Sequence, residues 1–403
     1  NAFYDSISVV PTLSPGAEQA VSPAVPLDLV RFFQDRETTR PLYVLFTSGH
    51  GQAMAGVTHF VSVLREGLLH GWPGDKEDSL LAQMGRPGLF TSLALSSRSD
   101  QFGVFCQGQF RGYYEHLLRP KFSTLGLKLY EYAKAFRTET DPEKHRPAFV
   151  DCINLTLGRG WWTYFPYRAV FESEMPCIAG IPGVSLATLN DDHRYVDTPD
   201  DTFDRLDFDL LKRQIVAQPG YTSGLSRIAL ALCSWTGRFV SNEIEDKWAR
   251  LSGRVVWLDQ ERNYTPNEPL VNATVFLKTQ KDDKYLMGTR GIPTVMTNEQ
   301  GEFEFDGLIQ VTANWSFSNC LLEAYGTADD YFLGANENAA QEFLDVLSRG
   351  GMGMDRIVED GSVVYAVDMA RPKEYPWQAE ILKEQQSVNL VCFPSRAFTL
   401  LGL

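Results

Sequence analysis

His50 stands in the turn "TSGHGQAMAG" (47–56), between the apolar run "PLYVLF" and the helix-like "VTHFVSVLREGLL". A Gly-rich turn leading from a strand into a helix is where α/β proteins place their chemistry, because strand-end side chains and free helix N–H groups converge there. An imidazole in that position can serve as general base or metal ligand. With no second histidine nearby in sequence, a hydrogen-bonded surface histidine is the plainer use. A second group, Asp191, Asp192, His193, Asp197, Asp200 and Asp201, lies in "DDHRYVDTPDDT". Its oxygens suit a hard cation such as Ca²⁺, yet the order and spacing of an EF-hand loop are missing. A solvated acidic loop is the plainer expectation, with Asp200, Asp201 and Thr202 available to cap the following helix. A third group, Trp161, Trp162, Tyr164 and Tyr167 in "WWTYFPY", offers π faces for a sugar or peptide, against which stands simple core packing. No HExxH, GxSxG, P-loop or GxGxxG stands in a supporting context.

Hydrophobic periodicity supplies the elements that must hold these groups. The pattern predicts a helix at 24–34, a buried strand at 41–46, a helix at about 53–69 and strands at 88–96 and 102–110. A largely helical stretch follows from Tyr113, then a strand at 181–190 and helices at about 207–218 and 223–241. Strands alternating with helices predict a three-layer α/β domain over 1–245. Beyond about residue 245 the pattern changes to short period-two strands with turns between them, which predicts a β-sandwich over 249–325. Residues 326–403 read as a β-rich extension or third unit, with one helix at "NAAQEFLDVLSR".

Composition narrows the partners. A formal net charge of −14 argues against nucleic acid and anionic membranes. No apolar run approaches the roughly 20 residues of a membrane span. Six scattered cysteines show no metal or disulfide-framework spacing and read mostly as buried thiols. Sequons occur at Asn154, Asn263, Asn272 and Asn314 and matter only in a glycosylating secretory pathway. Asn1 and the closing "AFTLLGL" look cut from within elements, so a processed chain or a piece of a longer polypeptide is expected.

Three stretches, "NAFYDSISVVPTLSPGAEQA", "LYVLFTSGHGQAMAGVTHFV" and "GIPGVSLATLNDDHRYVDTPDDTFDRLD", resemble in order and spacing three landmarks of one family. It is the zinc-dependent exopeptidase family of bacterial leucyl aminopeptidase, aminopeptidase Y and glutamate carboxypeptidase, to which the transferrin receptor ectodomain, nicastrin and nicalin are related. The resemblance spans roughly 1–240 and implies a two-zinc site. It also implies which positions would build that site. Phe3 stands where a ligand histidine is expected and Asp5 matches the family's aspartate. Gln19 occupies the position of the bridging carboxylate, with Glu18 beside it. His50 and Gly51 replace the Glu-Glu pair of base and ligand, and Asp197 replaces the last histidine. The remaining acidic ligand, expected between 96 and 175, has no convincing match. The stretches "SGRVV", "PLVNATVFL" and "TNEQGEFEFDGL" resemble the transthyretin-like regulatory domains that follow some carboxypeptidase modules.

With most ligands and the base replaced, the resemblance implies a non-catalytic binding or scaffold module of an extracytoplasmic assembly, with zinc absent and protein partners or self-association expected. Two other readings stand beside it. One is an active metallo-aminopeptidase with displaced ligands drawn from His50, Glu18, Asp5 and His193. The other is a carbohydrate-binding surface protein built on Trp161 and Trp162.

Overall fold

The computed structural model describes residues 1–6, 14–74, 76–108, 115–135, 149–167, 169–215, 225–240, 243–257, 268–279, 293–309, 319–328, 331–335, 358–359, 362–364, 378–380 and 385–394. Contacts divide the chain into two compact units, Asn1–Asp246 and Lys247–Leu403. The α/β content is mixed, with a mostly parallel sheet in the first unit and a separate, mostly antiparallel sheet in the second.

The first unit runs β1 (Ala2–Phe3), α1 (Ala17–Phe33), β2 (Phe46–Thr47), α2 (Ala55–His70), α3 (Leu80–Met84), β3 (Phe90–Ala94) and β4 (Phe102–Phe105). It continues with α4 (Glu115–Ala135), β5 (Phe149–Asp151), α5 (Trp161–Tyr164), α6 (Glu174–Ile178), β6 (Gly183–Thr188), α7 (Phe208–Ile215) and α8 (Leu225–Ser234). Six strands form one sheet in the order β2-β1-β3-β6-β4-β5. All pairs are parallel except β4 against β6, which are antiparallel from Phe102↔Thr188 to Phe105↔Ser185.

Central β6, "GVSLAT", is buried at every position, as expected of a strand with neighbours on both sides. Its two hydroxyls are satisfied internally. Ser185 Oγ lies 2.5 Å from Ser92 Oγ and 2.6 Å from Ser173 Oγ, and Thr188 Oγ1 donates to Gln214 Oε1 at 2.8 Å. Val21 and Val25 of α1, Leu118, Phe122, Leu125 and Leu129 of α4, and Leu225, Ile228 and Leu232 of α8 share one apolar cluster with Leu93, Phe102, Val104 and Phe149 of the strands. The spacing of three and four residues on α4 is the period of a helix facing a core.

Two expectations shift. Helix α1 begins at Ala17, seven residues before its expected start at 24, and runs through Pro23 and Pro26. Proline removes one backbone donor, and the buried face formed by Val21, Val25 and Pro26 holds the helix together across that loss. The run at 41–46, expected as a buried strand, pairs only at Phe46 and Thr47, and Leu42, Tyr43 and Phe46 are exposed. β2 lies at the end of the sheet with β1 as its strand neighbour, so it lacks the two-sided cover that would bury the run.

The second unit contains β7 (Trp248–Trp257), β8 (Glu268–Pro269), β9 (Thr274–Thr279), β10 (Thr294–Met296), β11 (Glu302–Ile309), β12 (Asn319–Ala328) and β13 (Tyr331–Ala335). β14 (Val358–Glu359), β15 (Ser362–Val364), β16 (Gln378–Glu380) and β17 (Gln385–Pro394) complete it. β11 alternates buried Phe303 and Phe305 with exposed Glu302 and Glu304, the period of a half-buried strand. The turn before it is built by Asn298, whose Oδ1 accepts from the backbone N–H of Gln300 and Glu302 at 3.0 and 2.8 Å. β17 pairs in parallel with β7 from Gln385↔Arg250 to Cys392↔Trp257, so 385–394 share a sheet with 248–257. The helix expected at "NAAQEFLDVLSR" lies outside the described residues.

Cys106, Cys152, Cys177 and Cys233 are buried free thiols, and burial raises the pKa of Cys152 and Cys177 far above the usual thiol range. No helix among the described residues is long and apolar enough to cross a membrane.

Candidate functional site

The ends of parallel strands β1, β2 and β6 bring most of the singled-out residues into two neighbouring networks. The first is built around the turn after β2. Its backbone closes on itself: Gln52 N–H and Ala55 N–H donate to Gly49 O at 3.0 and 2.9 Å, and Gly56 N–H donates to Ser48 O at 3.0 Å. Gly49 takes φ 71°, and Ala53 and Met54 also sit in the left-handed region at φ 58° and 59°. That conformation is costly for residues with a Cβ, so the packing of buried Ala53 and Met54 must hold it in place. A Cβ at Gly56 would lie 2.3 Å from Ser48 O, so only glycine lets α2 start this close to the strand end.

The turn holds His50 against three groups. Its ring stacks on Phe3 with centroids 3.8 Å apart and planes 10° from parallel. Its Nδ1 lies 3.3 Å from Glu172 Oε1, and its backbone N–H is directed at both oxygens of Asp5 at 3.3 and 3.2 Å. Glu172 is only 2% exposed. It also accepts from Thr47 Oγ1 at 2.7 Å and from Asn1 Nδ2. Burial pushes the Glu172 carboxyl up, but hydrogen bonding and charge from His50, with the bonds from Thr47 and Asn1, bring it below its ordinary value. Gly51 lies in the same turn and contributes no side-chain donor.

Beside it, the start of α1 meets the loop after β6. Gln19 Nε2 donates to Asp197 Oδ1 at 3.2 Å. Glu18 accepts from Ser97 N–H and Ser97 Oγ at 2.9 and 2.8 Å and pairs with Arg98 Nε at 2.6 Å. Glu18 N–H donates to Asp201 Oδ1 at 2.9 Å, so Asp201 caps the start of α1 rather than the helix that follows it in sequence. Burial raises the Asp201 carboxyl above its ordinary value, reinforced by the charges of Glu18 and Asp197 and opposed by the backbone N–H of Glu18.

The other acids of the loop find separate partners. His193, at φ 49°, stacks on Tyr167 with centroids 4.1 Å apart, and its Nε2 lies 2.7 Å from Tyr167 Oη and 3.0 Å from Asp191 Oδ2. Burial raises the Asp191 carboxyl, yet hydrogen bonding and charge from His193 leave it below the ordinary range. Asp192 pairs with Arg194 at 2.7 Å, and Asp200 lies 3.6 Å from Arg205.

The aromatic stretch divides. Trp161, Tyr164 and Tyr167 pack against a cluster of Phe105, Phe165, Phe171 and Leu189, whereas Trp162 keeps 55% of its surface exposed. Three of the four residues expected as one platform pack inward, and the exposed Trp162 ring stands edge-on to Trp161 with centroids 6.0 Å apart.

A two-zinc site needs deprotonated ligands converging at about 2.0–2.2 Å on each ion. Phe3 has no lone pair to give and uses its face on His50. Gln19 turns an N–H, not an oxygen, toward Asp197, and Asp5 is engaged with the backbone of the turn. The residues present do not fit two zinc ions. Among the described residues no group of three or more His, Cys, Asp or Glu is placed to hold a metal ion.

Glu172, the organising carboxylate of the first network, escaped the sequence reading. It lies between 96 and 175, the span in which the resemblance implies an acidic ligand, and its one local signal is an acid directly after the apolar "AVF". No known protein-family model and no curated protein matches the sequence.

Proposed function

We propose that the chain is a non-catalytic module that keeps a zinc-exopeptidase-like α/β domain, followed by a transthyretin-like β-domain, and serves as a binding or scaffold unit in an extracytoplasmic assembly. The observation that carries this reading is the Phe3–His50 stack. Two positions that would supply a ligand and the catalytic base instead lie face to face, with His50 tied to buried Glu172. Such contacts stabilise the turn, and they do not make the pair of metal-converging groups that the two positions would supply.

The reading with displaced ligands would need His50, Glu18, Asp5 and His193 to converge. Each instead has its own partners: Glu172, Ser97 with Arg98, the turn backbone, and Tyr167 with Asp191. Exposed apolar side chains on α1 and near β2, among them Leu27, Val30, Leu42 and Phe46, favour a partner-bound life over an isolated one.

The test is a panel of aminoacyl and peptide substrates offered to the purified chain with zinc, cobalt or manganese, alongside light scattering over a range of concentrations. No turnover, together with mass above 45.3 kDa or capture of a protein partner, supports the proposal. Metal-dependent turnover abolished by Asp5→Ala contradicts it.

A further inference from the structure

Two of the four sequons fall on described residues, and their surroundings differ. Asn154, after β5, is fully engaged. Its Nδ2 donates to Ser123 O at 3.0 Å and to Asp151 Oδ2 at 2.6 Å, and its Oδ1 accepts from Ser123 Oγ at 2.5 Å. A sugar on Nδ2 would displace one of these N–H donors from buried Asp151 or α4. Asn272 is the opposite case. It is exposed, sits at φ 56° in the turn between β8 and β9, and donates its backbone N–H to Thr297 O at 3.2 Å. No hydrogen bond to its side chain is made among the described residues.

We propose that Asn272 is an N-glycan acceptor and that Asn154 is not. The inference rests on the extracytoplasmic setting of the proposed function. In the transfer, Asn272 Nδ2 loses a proton and bonds to the anomeric carbon of a lipid-linked diphosphate oligosaccharide, whose diphosphate leaves. The fold pins the acceptor without closing it. Next to it, Ala273 N–H donates to Thr297 Oγ1 at 2.8 Å and Thr297 N–H returns to Ala273 O at 2.9 Å, so the turn is fixed while the amide points outward.

The position also has a use. β10 ends one side of its sheet, and Met296 on it, paired with Thr274 of the same sequon, is 63% exposed, as Val271 is 40% exposed. A glycan here would cover apolar surface beside an edge strand, the kind of edge that otherwise pairs with other chains.

The full chain, placed behind a heterologous leader in a eukaryotic secretory host, is analysed by glycopeptide mass spectrometry and endoglycosidase shift. The expected result is a glycan on Asn272, loss of that shift in Asn272→Asp, a residue that also tolerates the left-handed turn, and an unmodified Asn154 in the secreted protein. An unmodified Asn272 in folded, secreted chain overturns the proposal, as does a folded chain carrying sugar on Asn154. Modification in this host but none in chain taken from its own source overturns the proposal that Asn272 carries a glycan in the native protein, and leaves the proposed binding role to its own test.

Discussion

Replacing Glu172 with Gln tests whether the turn around His50 is held by a structural network. The substitution keeps volume and removes charge from a group that is 2% exposed and serves Thr47, His50 and Asn1. Hydrogen bonds to a charged acceptor are worth about 1.5–3 kcal/mol against about 0.5–1.5 for neutral ones, so three such bonds lose roughly 1 kcal/mol each. A destabilisation of about 2–4 kcal/mol at pH 7 follows, in line with the lower range for breaking one side of a buried pair. The folded-state carboxyl lies below its ordinary value. Its contribution is therefore complete above the ordinary carboxylate range and disappears as pH falls through the folded value. Denaturant unfolding of wild type and Glu172→Gln at pH 7 and again near pH 3 measures both. The gap is expected to be wide at pH 7 and to narrow in acid. A variant as stable as wild type at pH 7, or a gap unchanged in acid, refutes the reasoning.

Gly56→Ala forces a Cβ to within 2.3 Å of Ser48 O, so the turn must move at a cost of about 1–3 kcal/mol, and crystallography should show the Phe3–His50 stack broken. Gln214→Ala strips amide donors from buried Ser96 O and half-buried Ser99 O and an acceptor from buried Thr188, and should lower unfolding free energy by roughly 2–4 kcal/mol. Asp201→Asn has the opposite sign. Burial and like charge raise the Asp201 carboxyl, so the ionised form is disfavoured in the fold, and a neutral amide should stabilise the chain at neutral pH in the same assay.

Much of the fold was legible because its helices carry long apolar faces. α4 shows this in Leu118, Phe122, Leu125 and Leu129, and β6 shows its burial in a nearly unbroken apolar run. Short elements were not legible. β1 and β2 pair over two residues each, and a run such as "PLYVLF" gives no local sign of whether a neighbour will cover it. The singled-out residues stand out in the sequence by type and position, but their contacts do not. Nothing in sequence says that Phe3 and His50 will stack, that Asp201 will cap α1 across 183 residues, or that Glu172 will anchor a turn 122 residues earlier. These are long-range pairings between single polar or aromatic side chains, without the periodicity that makes a helix face visible.

Calorimetric titration of Zn²⁺ into the purified, metal-stripped chain, checked by elemental analysis of untreated protein, tests the central claim most directly. Because Phe3, Gln19 and Gly51 supply no anionic or imidazole ligand, the account predicts no stoichiometric zinc in either measurement. It further predicts that Asp5→Ala changes neither. One or two zinc ions per chain, retained through purification and lost in Asp5→Ala or His50→Ala, would contradict it.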